Sequence, residues 1–191
     1  MTEKIRPALL IIDMQNDVVL EGGPLNVAQA RSVIPTILLV LKEFRERKLP
    51  VFHMLMVHKA DGSDVEMFRK EQFRKRPFVV EGNRGAAIID ELVPQPGEYV
   101  IPRVRMSAFM GTDLDLRLRT LGITDLVLTG VQTPNCIRTT VSDGIAYDYR
   151  IILVRDGIGA QNDEIHKNNL RDMANFGAQI MNAQDLIAML G

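Results

Sequence analysis

The chain is short of several residue types, and each shortage narrows its class. It holds one cysteine and no tryptophan among 191 residues. One cysteine excludes an intrachain disulfide and a multi-cysteine metal site. That usage fits a reducing compartment, and a cytoplasmic location is the expectation. An excess of charge of one sign is also missing. Lys and Arg number 23 against 24 Asp and Glu, a formal net charge of −1. Such a balance gives no electrostatic case for nucleic acid or an anionic membrane as partner. Basic clusters at Arg69–Lys70 and Arg74–Lys75–Arg76 are interleaved with Glu66 and Glu71, as on a solvated face. Long apolar runs are absent: Ala8 to Ile12 is cut off by Asp13. That run is too short for a signal peptide behind Lys4 and Arg6, and no run can span a bilayer.

What is present is ordinary for a globular protein, with 46% hydrophobic and 25% charged residues. The length suits one domain over residues 1–191, with no linker, repeat or low-complexity segment. Apolar runs alternate with helical patterns. Strands are expected at Ala8–Ile12, Val51–Val57, Glu98–Ile101, Asp125–Thr129, Arg150–Val154 and Gln179–Met181. Helices are expected at Ala28–Arg47, Ala86–Leu92, Asp113–Leu121, Cys136 to about Asp148, Asp163–Asn175 and Asn182–Leu190. Lys59 to Val80 is polar and weakly patterned, an insertion with room for one helix. This alternation predicts an α/β fold, a three-layer α/β/α sandwich around a mainly parallel six-stranded sheet. Ligands of such sheets bind beyond the carboxyl ends of the strands, so chemistry is sought there.

Three strand ends carry it. Asp13 directly follows the five apolar residues of the first strand. Arg103 and Arg105 follow the third strand and point the same way if the segment is extended. Cys136 follows the fourth strand after the turn Gln132–Thr133–Pro134–Asn135, with helical spacing beyond it at Ile137, Val141 and Ile145. Pro134 suits a first helical turn. A helix N-terminus and a nearby cation favour a thiolate, so the Cys136 pKa is expected below the free value of about 8.5. A carboxylate, a guanidinium and a thiol make a usable set for acyl transfer. Each also has a plainer account: a turn-forming Asp, a structural ion pair and a small buried hydrophobe. No histidine stands ready for a Cys–His pair; His53 is within the second strand, His58 at its end and His166 in a late helix.

Together these segments resemble the isochorismatase-like cysteine hydrolases, over nearly the whole chain. The carriers are Leu10 to Asp17, Glu81 to Ala86, Ser107–Ala108–Phe109 with Gly111 to Leu114, and Leu128 to Cys136. The resemblance implies an Asp–Lys–Cys triad, in which Asp13 and Cys136 match the first and third members. Arg103 stands where the family has lysine, a departure because arginine keeps its proton. It could hold a Cys136 thiolate by charge and Asp13 by a bidentate contact. The resemblance also implies a cis peptide at Val131–Gln132, an oxyanion hole made by the Gln132 and Cys136 amides, and a homo-oligomer. The nicotinamidase branch carries an Asp-x-His metal motif, where this chain has Met56–Val57–His58. A thioether is a poor substitute for a hard carboxylate ligand, so no metal or other cofactor is expected. Gln15, His58, Arg105, Met106, Phe109 and the Lys59–Val80 insertion are the expected pocket wall around a small-molecule substrate.

The activity expected is hydrolysis of a small amide or ureido C–N bond. Alternatives are vinyl-ether hydrolysis with Asp13 as acid, a binding protein with a drifted triad, or a redox-sensing thiol.

Overall fold

A computed structural model describes residues 5–191. The strands are β1 (Pro7–Ile12), β2 (Val51–Met56), β3 (Tyr99–Arg103), β4 (Asp125–Val131), β5 (Arg150–Gly159) and β6 (Gln179–Met181). They form a six-stranded sheet in the order β3-β2-β1-β4-β5-β6. Every neighbouring pair is parallel. β1 and β4 are buried along their whole length at the centre, which explains the apolar run of β1 and the Leu126–Val127–Leu128 run of β4.

The helices are α1 (Asn16–Val19), α2 (Ile34–Glu46), α3 (Lys70–Lys75), α4 (Leu114–Thr120), α5 (Arg138–Ala146), α6 (Asp163–Asn175) and α7 (Ala183–Leu190). The β1–α2–β2 crossover runs toward one sheet edge; β4–α5–β5 and β5–α6–β6 run toward the other. Right-handed crossovers therefore put α2 on one face and α5 and α6 on the opposite face. α7 packs beside α2, and α5 beside α6. The result is the expected three-layer sandwich, with a wholly parallel sheet. Asn162 and Asn182 cap α6 and α7 by accepting from Ile165 N and Asp185 N.

Several elements differ from the sequence pattern, for local reasons. The expected helix at Ala28–Arg47 begins only at Ile34, with Pro35 in its first turn. Upstream, the backbone of Gln29 is tied to Ala160: Gln29 N donates to Ala160 O, and Gln29 Oε1 accepts from Ala160 N. The expected helix at Ala86–Leu92 is instead two short 3-10 turns, Arg84–Ala86 and Asp90–Leu92. β5 continues past Val154 through exposed Arg155 and Asp156 to Gly159. It can do so because the β4–β5 register shifts between Leu128 and Gly130, after which Ile158 pairs with Gly130.

The chain builds β1, β2 and β3 toward one edge, then returns to place β4 on the other side of β1. The switch point of the sheet is therefore the crevice between the ends of β1 and β4. Gly130 makes their close approach possible. Its φ is +104°, and a Cβ there would lie 2.2 Å from the Ile12 carbonyl oxygen. Gly130→Ala should therefore be destabilised by more than about 3 kcal/mol, from strain plus a backbone clash. Urea unfolding of the two proteins checks this, and a loss below about 1 kcal/mol would contradict the packing described here.

Candidate active site

Asp13 follows β1 in the left-handed region, at φ +54°. An aspartate tolerates that conformation better than most residues. Its N–H still donates to Met54 O at 3.0 Å, so the sheet fixes its backbone to the last hydrogen bond. The next residues staple the 81–87 loop down. Asn16 Nδ2 donates to Arg84 O at 2.8 Å, and Asp17 Oδ2 accepts from Val79 N at 2.7 Å. Gly85 is required here, since a Cβ would lie 2.3 Å from the Asp17 carboxylate.

Arg103 ends β3, two strands from β1 in the sheet. That is about 9.6 Å of sheet, and only a long side chain crosses it. Arg103 does so beneath the end of β2. Its Nη2 donates to Asp13 Oδ1 and Oδ2, each at 2.7 Å, and its side chain is fully buried. The bidentate fork is replaced by one nitrogen that straddles both carboxylate oxygens. Nη1 is turned to the Arg105 carbonyl oxygen, and Nε has no partner. Burial alone would lower the Arg103 pKa; the charges of Asp13 and Cys136 more than offset it and raise it. This guanidinium is a fixed charge, not a proton carrier.

Cys136 lies in a π-helical turn, Thr133–Ile137, that leads directly into α5. The Gln132 carbonyl accepts from Asn135 N at 3.1 Å and from Ile137 N, five residues on, at 3.3 Å, the wide ring of a π-type turn. The Val131–Gln132 peptide bond is cis. The thiol is 4% exposed and stands within the fields of both Asp13 and Arg103. The expectation of a lowered thiol pKa is corrected. Burial first, and then the Asp13 carboxylate, push the Cys136 thiol up to about 12, against the pull of Arg103. The sequence argument counted the helix terminus and the cation, but not desolvation or the carboxylate on the same side.

A cavity of about 330 Å³ opens over these groups. Asp13, Gln132 and Cys136 line it, together with Asn135 and Val131 from the β4 turn. The rest of the wall was not foreseen by name: Pro24 to Val27, Phe68, Arg69 and Gln72 from the insertion, and Gln161. The insertion does contribute to the wall as expected, but the wall residues expected by name lie elsewhere. Gln15 is fully buried and wholly engaged by backbone: Nε2 donates to Met56 O and Ala86 O, and Oε1 accepts from Met56 N. It locks β2 to the 81–87 loop. Phe109 packs against Tyr147 and Tyr149. Arg105 and Met106 line a separate cavity with Ser107, Met110 and Arg138. Arg105 Nη1 is engaged there by Asp64 O and Val104 O.

His58 is buried away from the cavity rather than on its wall or the surface. Phe73 and Phe78 pack edge-on against its ring. Its Nδ1 lies 3.4 Å from Asp64 and its Nε2 3.6 Å from Glu66. Burial lowers its pKa, against the opposing charges of Glu66 and Asp64. Met56 presents its sulfur to Arg69 Nη1 at 3.2 Å. Among the described residues, no three His, Cys, Asp or Glu side chains are grouped to hold a metal ion.

Two tests follow from this geometry. Alkylation of Cys136 by iodoacetamide should climb with pH without an inflection below about pH 9, because the thiol stays protonated in the free protein. An inflection below pH 8 would mean that the thiolate is stabilised after all. Arg103→Ala should cost about 3–5 kcal/mol in urea unfolding, since it strands the Asp13 carboxylate in the interior. A loss under about 1 kcal/mol would show that Asp13 has no need of its partner.

The isochorismatase domain model matches residues 7–185. A probable inactive nicotinamidase of Arabidopsis thaliana is 40% identical over 176 residues, covering 90% of each chain. The N-carbamoylsarcosine amidase of an Arthrobacter species is 30% identical over 188 residues, covering 97% of this chain and 71% of its own. The crystal structure of an isochorismatase family protein from Desulfovibrio vulgaris superimposes with a TM-score of 0.95 at 39% identity, covering 98% of this chain and 99% of its own. The fold, the residues that close around the β1–β4 crevice and these matches agree: the chain belongs to the isochorismatase family of hydrolases.

Proposed function

We propose that this protein hydrolyses a small amide or ureido C–N bond through a thioester on Cys136. The observation that carries the proposal is the convergence of Asp13 and Cys136 on one small cavity, with Arg103 fixed beneath Asp13. The likeness to an amidase supports it. With the substrate carbonyl over Cys136, the Asp13 carboxylate takes the thiol proton as sulfur bonds to the carbonyl carbon. The raised thiol pKa makes that transfer part of the attack rather than a prior ionisation. The Gln132 and Cys136 backbone amides are the proposed oxyanion donors. Collapse of the tetrahedral adduct breaks the C–N bond, and the leaving nitrogen takes the proton from Asp13. Asp13 then removes a proton from water as it attacks the thioester. The C–S bond breaks, and the proton returns to sulfur.

A second reading has its own support. Arginine in place of the family's lysine cannot share a proton, and a relative at 40% identity is named as a probable inactive nicotinamidase. Under that reading the fold is kept as a binding protein. A screen separates the two. Small primary amides, ureides and an isochorismate-like vinyl ether are offered to the natural protein and to Cys136→Ala. The expected outcome is ammonia release from at least one amide or ureide, reduced at least about 10³-fold by Cys136→Ala. Cleavage of the vinyl ether that survives Cys136→Ala would establish the ether chemistry instead. Binding without turnover in the natural protein would establish the binding reading.

A further inference from the structure

Two backbone amides, Gln132 and Cys136, must meet one oxygen atom in the proposed reaction, so the turn between them has to be held still. Most of its side-chain hydrogen bonds are local. Asn135 Nδ2 donates to Gln132 Oε1, Thr139 Oγ1 to Asn135 O, and Thr140 Oγ1 to Cys136 O. These tie the turn to itself and to α5. Thr133 behaves differently. It is fully buried at the first position of the turn, directly after Gln132, and its hydroxyl reaches two other elements. Oγ1 donates to Gly159 O at the end of β5, at 2.8 Å, and lies 3.0 Å from His166 Nδ1 on α6.

The direction of both hydrogen bonds follows from the partners. A carbonyl oxygen can only accept, so the single hydroxyl proton of Thr133 points to Gly159 O. Toward His166 the same oxygen is then an acceptor, and His166 Nδ1 carries a proton and donates it. The imidazole is partly buried, on a helix that is itself anchored. Arg138 Nη1, at the start of α5, donates to Asn169 Oδ1 at 2.8 Å and Asp172 Oδ2 at 3.0 Å on α6. α6 is thus a fixed post, and His166 is the arm that reaches from it to the first residue of the Cys136 turn. The sequence pattern placed this histidine in a late helix with no role at the site.

We propose that His166 is a positioning residue: by donating to Thr133 it holds the Gln132 amide and the Cys136 turn against the end of β5. The inference rests on the hydrolase reading for what is positioned, and on the His166–Thr133–Gly159 tie for how. Neither His166 nor Thr133 lines the cavity over Cys136, so the tie acts on the donors and not on a ligand. Its loss should therefore be felt where the oxyanion forms, in the transition state, and should spare the seating of substrate. What is required of position 166 is one N–H at the place of Nδ1. An asparagine can supply it from its amide nitrogen, and an alanine cannot.

The test uses His166→Ala, His166→Asn, Thr133→Val and the double variant Thr133→Val with His166→Ala, each first shown to be folded by urea unfolding. On the amide or ureide turned over fastest in the screen above, His166→Ala should lower kcat by about tenfold or more and leave KM within about threefold. His166→Asn should restore most of the rate. Thr133→Val should lose at least as much as His166→Ala, and the double variant less than about twofold more, since the two side chains act as a unit. A second readout needs no turnover. Cys136 is the single thiol of the chain, so iodoacetamide reports on its turn alone. At one fixed pH, His166→Ala should be alkylated at least about threefold faster than the natural protein, because a loosened turn exposes the buried sulfur, and His166→Asn should match the natural rate. If no compound in the screen is hydrolysed, the hydrolase reading falls, and the alkylation rates alone decide whether His166 holds the Cys136 turn. Unchanged alkylation in His166→Ala, a change in KM rather than kcat, or a His166→Asn protein as impaired as His166→Ala would each overturn the proposal.

Discussion

The buried contact between Asp13 and Arg103 is the constraint on which the site depends. Two charges cannot be left in a dry interior unless they neutralise one another. Here one guanidinium nitrogen meets both carboxylate oxygens at 2.7 Å. The strand order makes this possible, because β3 and β1 flank β2 and a long side chain spans the gap. Once made, the pair locks the end of β1 to the end of β3. It sets the electrostatic surroundings of Cys136 from the next strand, and it removes the negative charge of Asp13 from the balance of the cavity.

The thiol answers that environment. Arg103 draws it toward ionisation, but burial and Asp13 prevail and hold it protonated, with a pKa pushed up to about 12. A free thiolate is therefore not the resting state. Under the proposed thioester chemistry the proton leaves only as the electrophile is attacked, which favours reaction with a seated substrate over chance alkylation or oxidation. The same coupling means that small changes in Asp13 would be felt at Cys136, since the two share one desolvated space.

The fold was largely legible, because its signals are local. Unbroken apolar runs marked β1 and β4, and α6 and β6 emerge with the bounds that their patterns predict. Errors arose where tertiary contacts outweighed local pattern. Ala28 to Val33 has helix-forming residues, yet its ties to Ala160 keep it out of α2. Asp13 and Cys136 were legible as chemical residues at strand ends, and Arg103 by its place in the family pattern. Of the cavity wall, only the contribution of the 59–80 insertion was, and not its individual residues. Gln15 reads as a polar residue near the site, but all its hydrogen-bonding capacity goes to β2 and the 81–87 loop. Arg69 and Gln72 lie in a charged segment without periodicity, and only three-dimensional placement distinguishes them from Arg74 or Lys75. The adjacency of Phe68 and Arg69 was the one available signal, and it is weak.

This division between what is legible and what is not has a physical origin. Asp13 and Arg103 stand at strand ends of the sheet, whose register is fixed by backbone hydrogen bonds over several strands, and Cys136 stands on the π-helical turn that follows β4. The other residues of the cavity wall sit largely on turns and on α3, held by contacts to neighbouring segments such as Gln72 to Pro24. Asp13 and Gly130 are bound by backbone geometry, each at positive φ where the sheet's central strands end. The insertion can change its side chains without disturbing that frame. Met56 and Arg69 show how such a change works. A thioether replaces the hard ligand that the metal-dependent pattern carries at this point, and a guanidinium from the insertion covers it. A positive charge is thereby placed in the cavity wall by the insertion, beside the strand-end groups Asp13 and Cys136.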